Sequence, residues 1–205
     1  NLDTLLDMFV QSTPDAISFV LPRLPSQLLR DIAHVTTERD AYLLEYLLDL
    51  KSSDFAERSQ WVVQTVLVAA AANPLVPLET LTRLAEDPDW NIRRGVAKNK
   101  ITPPELLKIL SQDGEYAVRR NVAGHKNIPD ELLPVLAKDK HARVRGSVCK
   151  NKKTPLALKV ATICSADAEA RQNIAQSKKT HPEILAQLRS DKNQGVRRIL
   201  ARRVA

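Results

Sequence analysis

The stretch LAEDPDWNIRRGVAKNKITPPELLKIL, residues 84–110, decides the fold. Within it Arg93 stands six residues after Asp87, and the same spacing returns at Asp113–Arg119, Asp139–Arg145 and Asp191–Arg197. Recurrence at a fixed interval marks a repeat architecture, in which each unit buries its apolar face only against its neighbours. Written in rows of 26, residues 66–195 align as five rows without a gap, and residues 196–205 open a sixth.

The columns of these rows read as helices. Val66, Ile92, Val118, Val144, Ala170 and Val196 hold the first position, and Ala70, Val96, Val122, Val148, Ile174 and Leu200 the fifth. Residues four apart share one helix face. The sixth position is Ala except at Cys149, and a small residue there lets a neighbouring helix approach closely. Asn73, Asn99, His125, Asn151 and Ser177 follow. Asn tolerates the left-handed backbone that ends helices, so this column predicts a stop. Pro77, Pro103, Pro129 and Pro155 then suit the first turn of a second helix, whose buried face is lined by leucines at 81, 84, 107, 110, 133, 136, 185 and 188. Each row predicts two short helices, and the stack an all-α solenoid.

Composition agrees. Aromatics make up 4% of the 205 residues and there are 5 glycines, which suits helix-on-helix packing and argues against a turn-rich sheet protein. No apolar run reaches the ~18 residues that span a bilayer. No secretory pattern opens the chain, and two cysteines make neither a disulfide framework nor a metal cluster, so a reducing cytoplasmic home is expected. The chain starts at Asn1 and stops inside a row, as a fragment would. Residues 1–65, with a net charge of −5, are expected to form irregular acidic capping helices, and residues 66–205, with a net of +12, the repeat array.

The rows resemble the leucine-rich repeat variant family, whose pattern runs Asp-Pro, Val-Arg, Val-Ala-x-Asn, then Pro and paired leucines. The match spans roughly residues 66–205 and is best over 84–145. The resemblance implies a right-handed superhelix of alternating α- and 3₁₀-type helices; the longer period leaves open paired α-helices, as in HEAT repeats. The family's cysteine-rich iron–sulfur segment has no counterpart here, because residues 1–65 hold no Cys, and no cofactor is expected. HEAT repeats also carry an Asp and an Arg six apart that form a ladder between repeats. On that reading Asp87, Arg93, Asp113, Arg119, Asp139, Arg145, Asp191 and Arg197 are structural, each guanidinium bonding its own Asp and the turn of the next repeat; the alternative is direct ligand contact. Ser165 replaces the Asp of the fourth row, and the first row has Trp61 and Leu67, so the ladder should weaken there.

A second set of basic residues points elsewhere. Arg94, Arg120 and Arg198 follow the ladder arginines by one residue, and Lys98, Lys150 and Arg202 lie four further on, on the same helix face. Lys100, Lys126, Lys152 and Lys178 come at the next turn, with Lys153 and Lys179 beside them. Stacking would align these as a stripe that tracks a polyanion such as a nucleic-acid backbone. The alternative is a solvated face that keeps the array soluble. No sequence-reading motif appears, and six of the eight aromatics lie in residues 1–65. Trp90 and Tyr116 stand in equivalent turns, either flanking a ligand or packing on a neighbour. His34, His125, His141 and His181 show no metal spacing, and no nucleophile elbow or phosphate loop occurs. Cys149 in a buried column reads as an inert core thiol.

The expectation is a non-enzymatic scaffold that binds nucleic-acid backbone without sequence preference. Two other classes stand beside it: a protein–protein scaffold, whose Asn column would hold an extended or acidic peptide, and a HEAT-like DNA glycosylase, which would need a carboxylate and aromatics clustered in a basic groove.

Overall fold

The computed structural model describes Gln64, Leu67, Val68 and residues 70–204. The acidic head, its boundary with the array at 65/66, Trp61 and Val66 lie outside the described residues. Among these residues there are helices and turns but no strand. The chain divides into two compact units, residues 1–102 and 103–205.

In the first unit, α1 (Leu78–Ala85) packs on α2 (Trp90–Lys98). In the second, α3 (Pro104–Leu110) packs on α4 (Tyr116–Gly124), α5 (Leu132–Leu136) and α7 (Leu156–Ile163) pack on α6 (Ala142–Lys150), and α9 (Pro182–Leu188) packs on α8 (Ala168–Gln176) and α10 (Gln194–Val204). There α4, α6, α8 and α10 stack in order, and α7 packs on α9. This two-layered stack of helix pairs is the architecture that the 26-residue period predicts. Both helices of a pair are α-helical; no described residue is 3₁₀-helical.

The columns explain the layers. Ile92, Val118, Val144 and Val196 are fully buried, as are Val96, Val122 and Val148 four residues after the first three. Leu81, Leu84, Leu107, Leu110, Leu133 and Leu136 cover the facing side from the second helices. Each such leucine contributes about 1.5–3 kcal/mol relative to an exposed one. The proline column sits one step earlier than expected: Pro77, Pro103 and Pro155 are N-caps, with extended ψ, and the helix starts after them. Among the described residues, no helix is long and apolar enough to cross a membrane.

Close approach sets the glycine of α2. A Cβ on Gly95 of α2 would lie 2.7 Å from Ala71 Cβ and 3.1 Å from Val68 O, whereas one on Gly124 would meet nothing within 4 Å. Gly95→Ala should therefore cost about 1–2 kcal/mol through overpacking. Gly124→Ala, at a position with negative φ, should stabilise by about 0.5 kcal/mol through lost unfolded-state freedom. Urea unfolding of the two variants should shift the midpoint in opposite directions; equal shifts would contradict the packing described.

Candidate polyanion interface

The first question is which arginines are already occupied. Arg119, 6% exposed, donates through Nη1 to the backbone oxygens of Asp113 (2.7 Å) and Gly114 (2.9 Å). Its Nε and Nη2 donate to Asp139 Oδ2 and Oδ1 at 2.7 and 3.1 Å, a two-pronged grip on the next repeat. Arg171 repeats this with Asp191, at 2.6 and 3.2 Å, and also reaches Ala166 O. Each arginine thus takes the main chain of its own turn and the carboxylate twenty residues ahead. The Arg119 guanidinium reaches its own Asp through the main-chain oxygen and the next turn through that turn's carboxylate, which also accepts from the backbone amide two residues on, at 2.7 Å in both Asp139–His141 and Asp191–Asn193. Six residues within a row and twenty across rows complete one 26-residue period.

Electrostatics follow geometry. Burial pushes the Asp139 and Asp191 carboxyls up, but the Arg119 and Arg171 guanidiniums and the turn amides outweigh it, and both rest below the ordinary carboxylate range. In return, the hydrogen bond to Asp139 raises the Arg119 pKa above its already high value. Where Ser165 stands for Asp, Arg145 instead donates to Ser165 O (2.6 and 2.9 Å) in an exposed setting, while keeping Asp139 O at 2.6 Å. Arg93 and Arg197 likewise reach the backbone oxygens of Asp87 and Asp191.

The Asn column is occupied too. Asn99 Nδ2 donates to Ala71 O (3.0 Å) and Asn73 O (2.6 Å), and Asn151 Nδ2 to Ala123 O (2.8 Å) and His125 O (3.1 Å). Their Oδ1 atoms accept from Ile101 and Lys153 amides. These amides stitch adjacent repeats, so they are not offered to a peptide, contrary to the second reading above. The helix stop also has a different cause. No described non-glycine residue has positive φ; Asn99 and Asn151 are extended, at φ −65° and −66°. The Asn side chain closes the turn, and Thr102 and Thr154 hydroxyls add a second bond to the carbonyls of Val96 and Val148, which also accept from the Asn99 and Asn151 backbone amides.

The second basic set is exposed at every position, from Arg94, Lys98, Lys100, Arg120 and Lys126 to Lys178, Arg198 and Arg202. Some have protein partners. Arg94 lies 5.4 Å over the Trp90 ring. Lys153 pairs with Asp130 at 2.8 Å and donates to Ile128 O. Tyr116 stacks on His141 of the next repeat, with centroids 3.8 Å apart. The column of Arg94 and Arg120 breaks at Gly146, where a Cβ would lie 2.5 Å from Asp167 Oδ2 and 2.6 Å from Ala170 Cβ; the helices meet too closely for a side chain.

Three of the remainder converge in the second unit, while Lys98 and Lys100 lie in the first and Lys126, Lys178, Arg198 and Arg202 do not line the same cleft. Lys150, Lys152 and Lys179 line one open cleft of about 540 Å³, together with Lys159, Asn173, Ser177, Thr180 and His181. Leu156, Ile174, Ile184 and Cys149 supply its apolar part. No carboxylate is among the described residues lining it. Burial pushes the Cys149 thiol up to about 12, so it stays a neutral part of the wall. Lys150 also reaches a shallow hollow shared with Arg120 and Arg143, where Asp167 and Glu169 add opposing charge. Lys159 was missed by sequence reasoning, although the signal was present: it occupies the column of Leu81, Leu107, Leu133 and Leu185.

No family model matches the chain, and no curated protein does. Among solved structures it is similar to a leucine-rich repeat variant with a novel repetitive structural motif, at TM-score 0.45 and 19% identity, covering 93% of this chain and 71% of the other. It is also similar to an engineered protein, at TM-score 0.37 and 16% identity, covering 98% and 94%. The first of these is the kind of repeat that the Asp-Pro, Val-Arg, Val-Ala-x-Asn pattern resembles.

Proposed function

We propose that this chain is a non-enzymatic helical-repeat scaffold whose basic face binds a polyanion, nucleic-acid backbone above all, without reading its sequence. The observation that carries this is the cleft of residues 103–205, with four lysines and no carboxylate among its described lining. Like charges concentrated in a concave, partly apolar site raise the local potential and attract a polyanion more than the same charges spread over a convex face. The ladder arginines are already paired, so the proposed contacts fall to the lysines and to Arg120.

Fluorescence anisotropy with labelled single-stranded and duplex oligonucleotides of unrelated sequence tests this. Binding should fall with salt on a log–log slope of about −3 to −4, as four or five neutralised phosphates require. The triple change Lys150→Glu, Lys152→Glu, Lys179→Glu should weaken it by about 100-fold at low salt. All three side chains are exposed, so the helices should persist by circular dichroism. A correctly folded triple variant that binds as well as the parent would refute the placement.

A further inference from the structure

We infer that the lysine-rimmed cleft between the fourth and fifth repeats holds an unpaired nucleotide, with its phosphates on the lysines and its base against the apolar floor. The inference rests on the polyanion reading and narrows it to single strands.

A duplex presents phosphates on a convex surface and keeps its bases stacked inside. Protruding cations suffice to hold it, and a pocket behind them adds nothing. Here there is a pocket. Its volume of about 540 Å³ lies within the roughly 300–1,000 Å³ typical of sites that enclose a small molecule, and a single nucleotide is of that size. Leu156 from the start of α7, Ile174 of α8 and Ile184 of α9 give it an apolar floor. Lys150, Lys152 and Lys179, all exposed, line it as well.

Lys159 strengthens the case. The leucines of its column in rows one to three are buried, at 0–1% exposure, so packing alone favours Leu there. The lysine is half-buried, lines the cleft, and places a cation beside the apolar floor. Asn173, exposed at the edge, offers an amide donor and an acceptor to a base edge. An acidic peptide shares the anionic chemistry. The nucleotide is favoured because its anionic group and its flat weakly polar ring are joined in one unit that fits a single compact cleft, whereas a peptide spreads the two along an extended chain.

The test uses the full chain and three labelled probes at one low salt concentration: a short single strand, its duplex, and a strand of equal length built from abasic sites. The single strand should bind about tenfold tighter than either of the others, since burying about 60 Å² of base surface gives a change of that order. Leu156→Gln should erase the difference between the single strand and the abasic probe. Should that variant not fold, Lys159→Leu, which restores the residue usual to the column, should weaken single-strand binding several-fold. Equal affinity for all three probes would overturn the inference and leave the polyanion reading intact. Binding of none of them, with poly-glutamate bound instead, would overturn both in favour of an acidic polypeptide partner.

Discussion

Arg171→Ala should destabilise the array by about 3–5 kcal/mol, whereas Arg145→Ala should cost about 1 kcal/mol. The two arginines occupy the same place in adjacent repeats, and the difference lies in what they hold. Arg171 is 3% exposed and its partner Asp191 9%. Removing the guanidinium strands a buried carboxylate that keeps the Asn193 amide as a donor but loses its paired counter-charge. Arg145 faces Ser165, so its loss leaves neutral oxygens that water can reach. Denaturant unfolding followed by circular dichroism measures both, with the transition of the C-terminal repeats compared if unfolding proceeds in steps. Equal losses for the two variants would mean that the carboxylate contributes nothing special to the ladder.

The same pair fixes a pH response. The Asp139 and Asp191 carboxyls titrate below the usual range in the fold, burial being outweighed by their arginines. A depressed folded pKa gives stability that is complete above the unfolded value of about 3.9 and disappears as pH falls through the folded one. The Arg171→Ala variant should accordingly lose less on acidification than the parent does, because part of that linkage is already gone.

How much of this was legible in the sequence depends on whether a feature lies within a row or between rows. Column identity predicted the helix pairs, the buried valines and leucines, and the close approach at Ala71. The Asp–Arg spacing and the link to the next turn were visible; which atoms meet was not, because the own Asp is reached through its main-chain oxygen and the carboxylate belongs to the following row. Asn99 shows the same limit: a left-handed stop and a side-chain-closed turn both call for Asn, and only backbone angles separate them. The division after Thr102 falls inside a row with no shift of composition to mark it. The cleft was less legible still, since it arises from how two rows pack; its one sequence trace was a lysine among leucines at position 159. Arg203 was hidden by the incomplete sixth row. It stands in the Asn column and donates to Ala175 O and Ser177 O at 2.8 Å each, the same two carbonyls relative to its row that Asn99 and Asn151 serve in theirs.

That substitution leads to the second large effect. Asn151→Ala should cost about 2–4 kcal/mol, because it strips partners from two buried carbonyls at once. Asn151 is 7% exposed, and its amide is what joins Ala123 O and His125 O to the following repeat. Asn151→Asp discriminates the cause. It keeps the size and the oxygen that accepts from Lys153 N, but replaces the donor with a charged acceptor aimed at two carbonyls. If the amide donor is what matters, the aspartate variant should be at least as unstable as the alanine one at neutral pH and should partly recover when acidified, since a protonated carboxyl can donate again. If volume alone matters, aspartate should behave like the parent. Arg203→Ala provides the internal reference: its bonds have the same geometry, but its side chain is exposed, so water replaces the lost donor and the cost should stay near 1 kcal/mol, about the net worth of a solvent-accessible hydrogen bond. Equal costs at 151 and 203 would show that burial does not set the strength of the stitch between repeats.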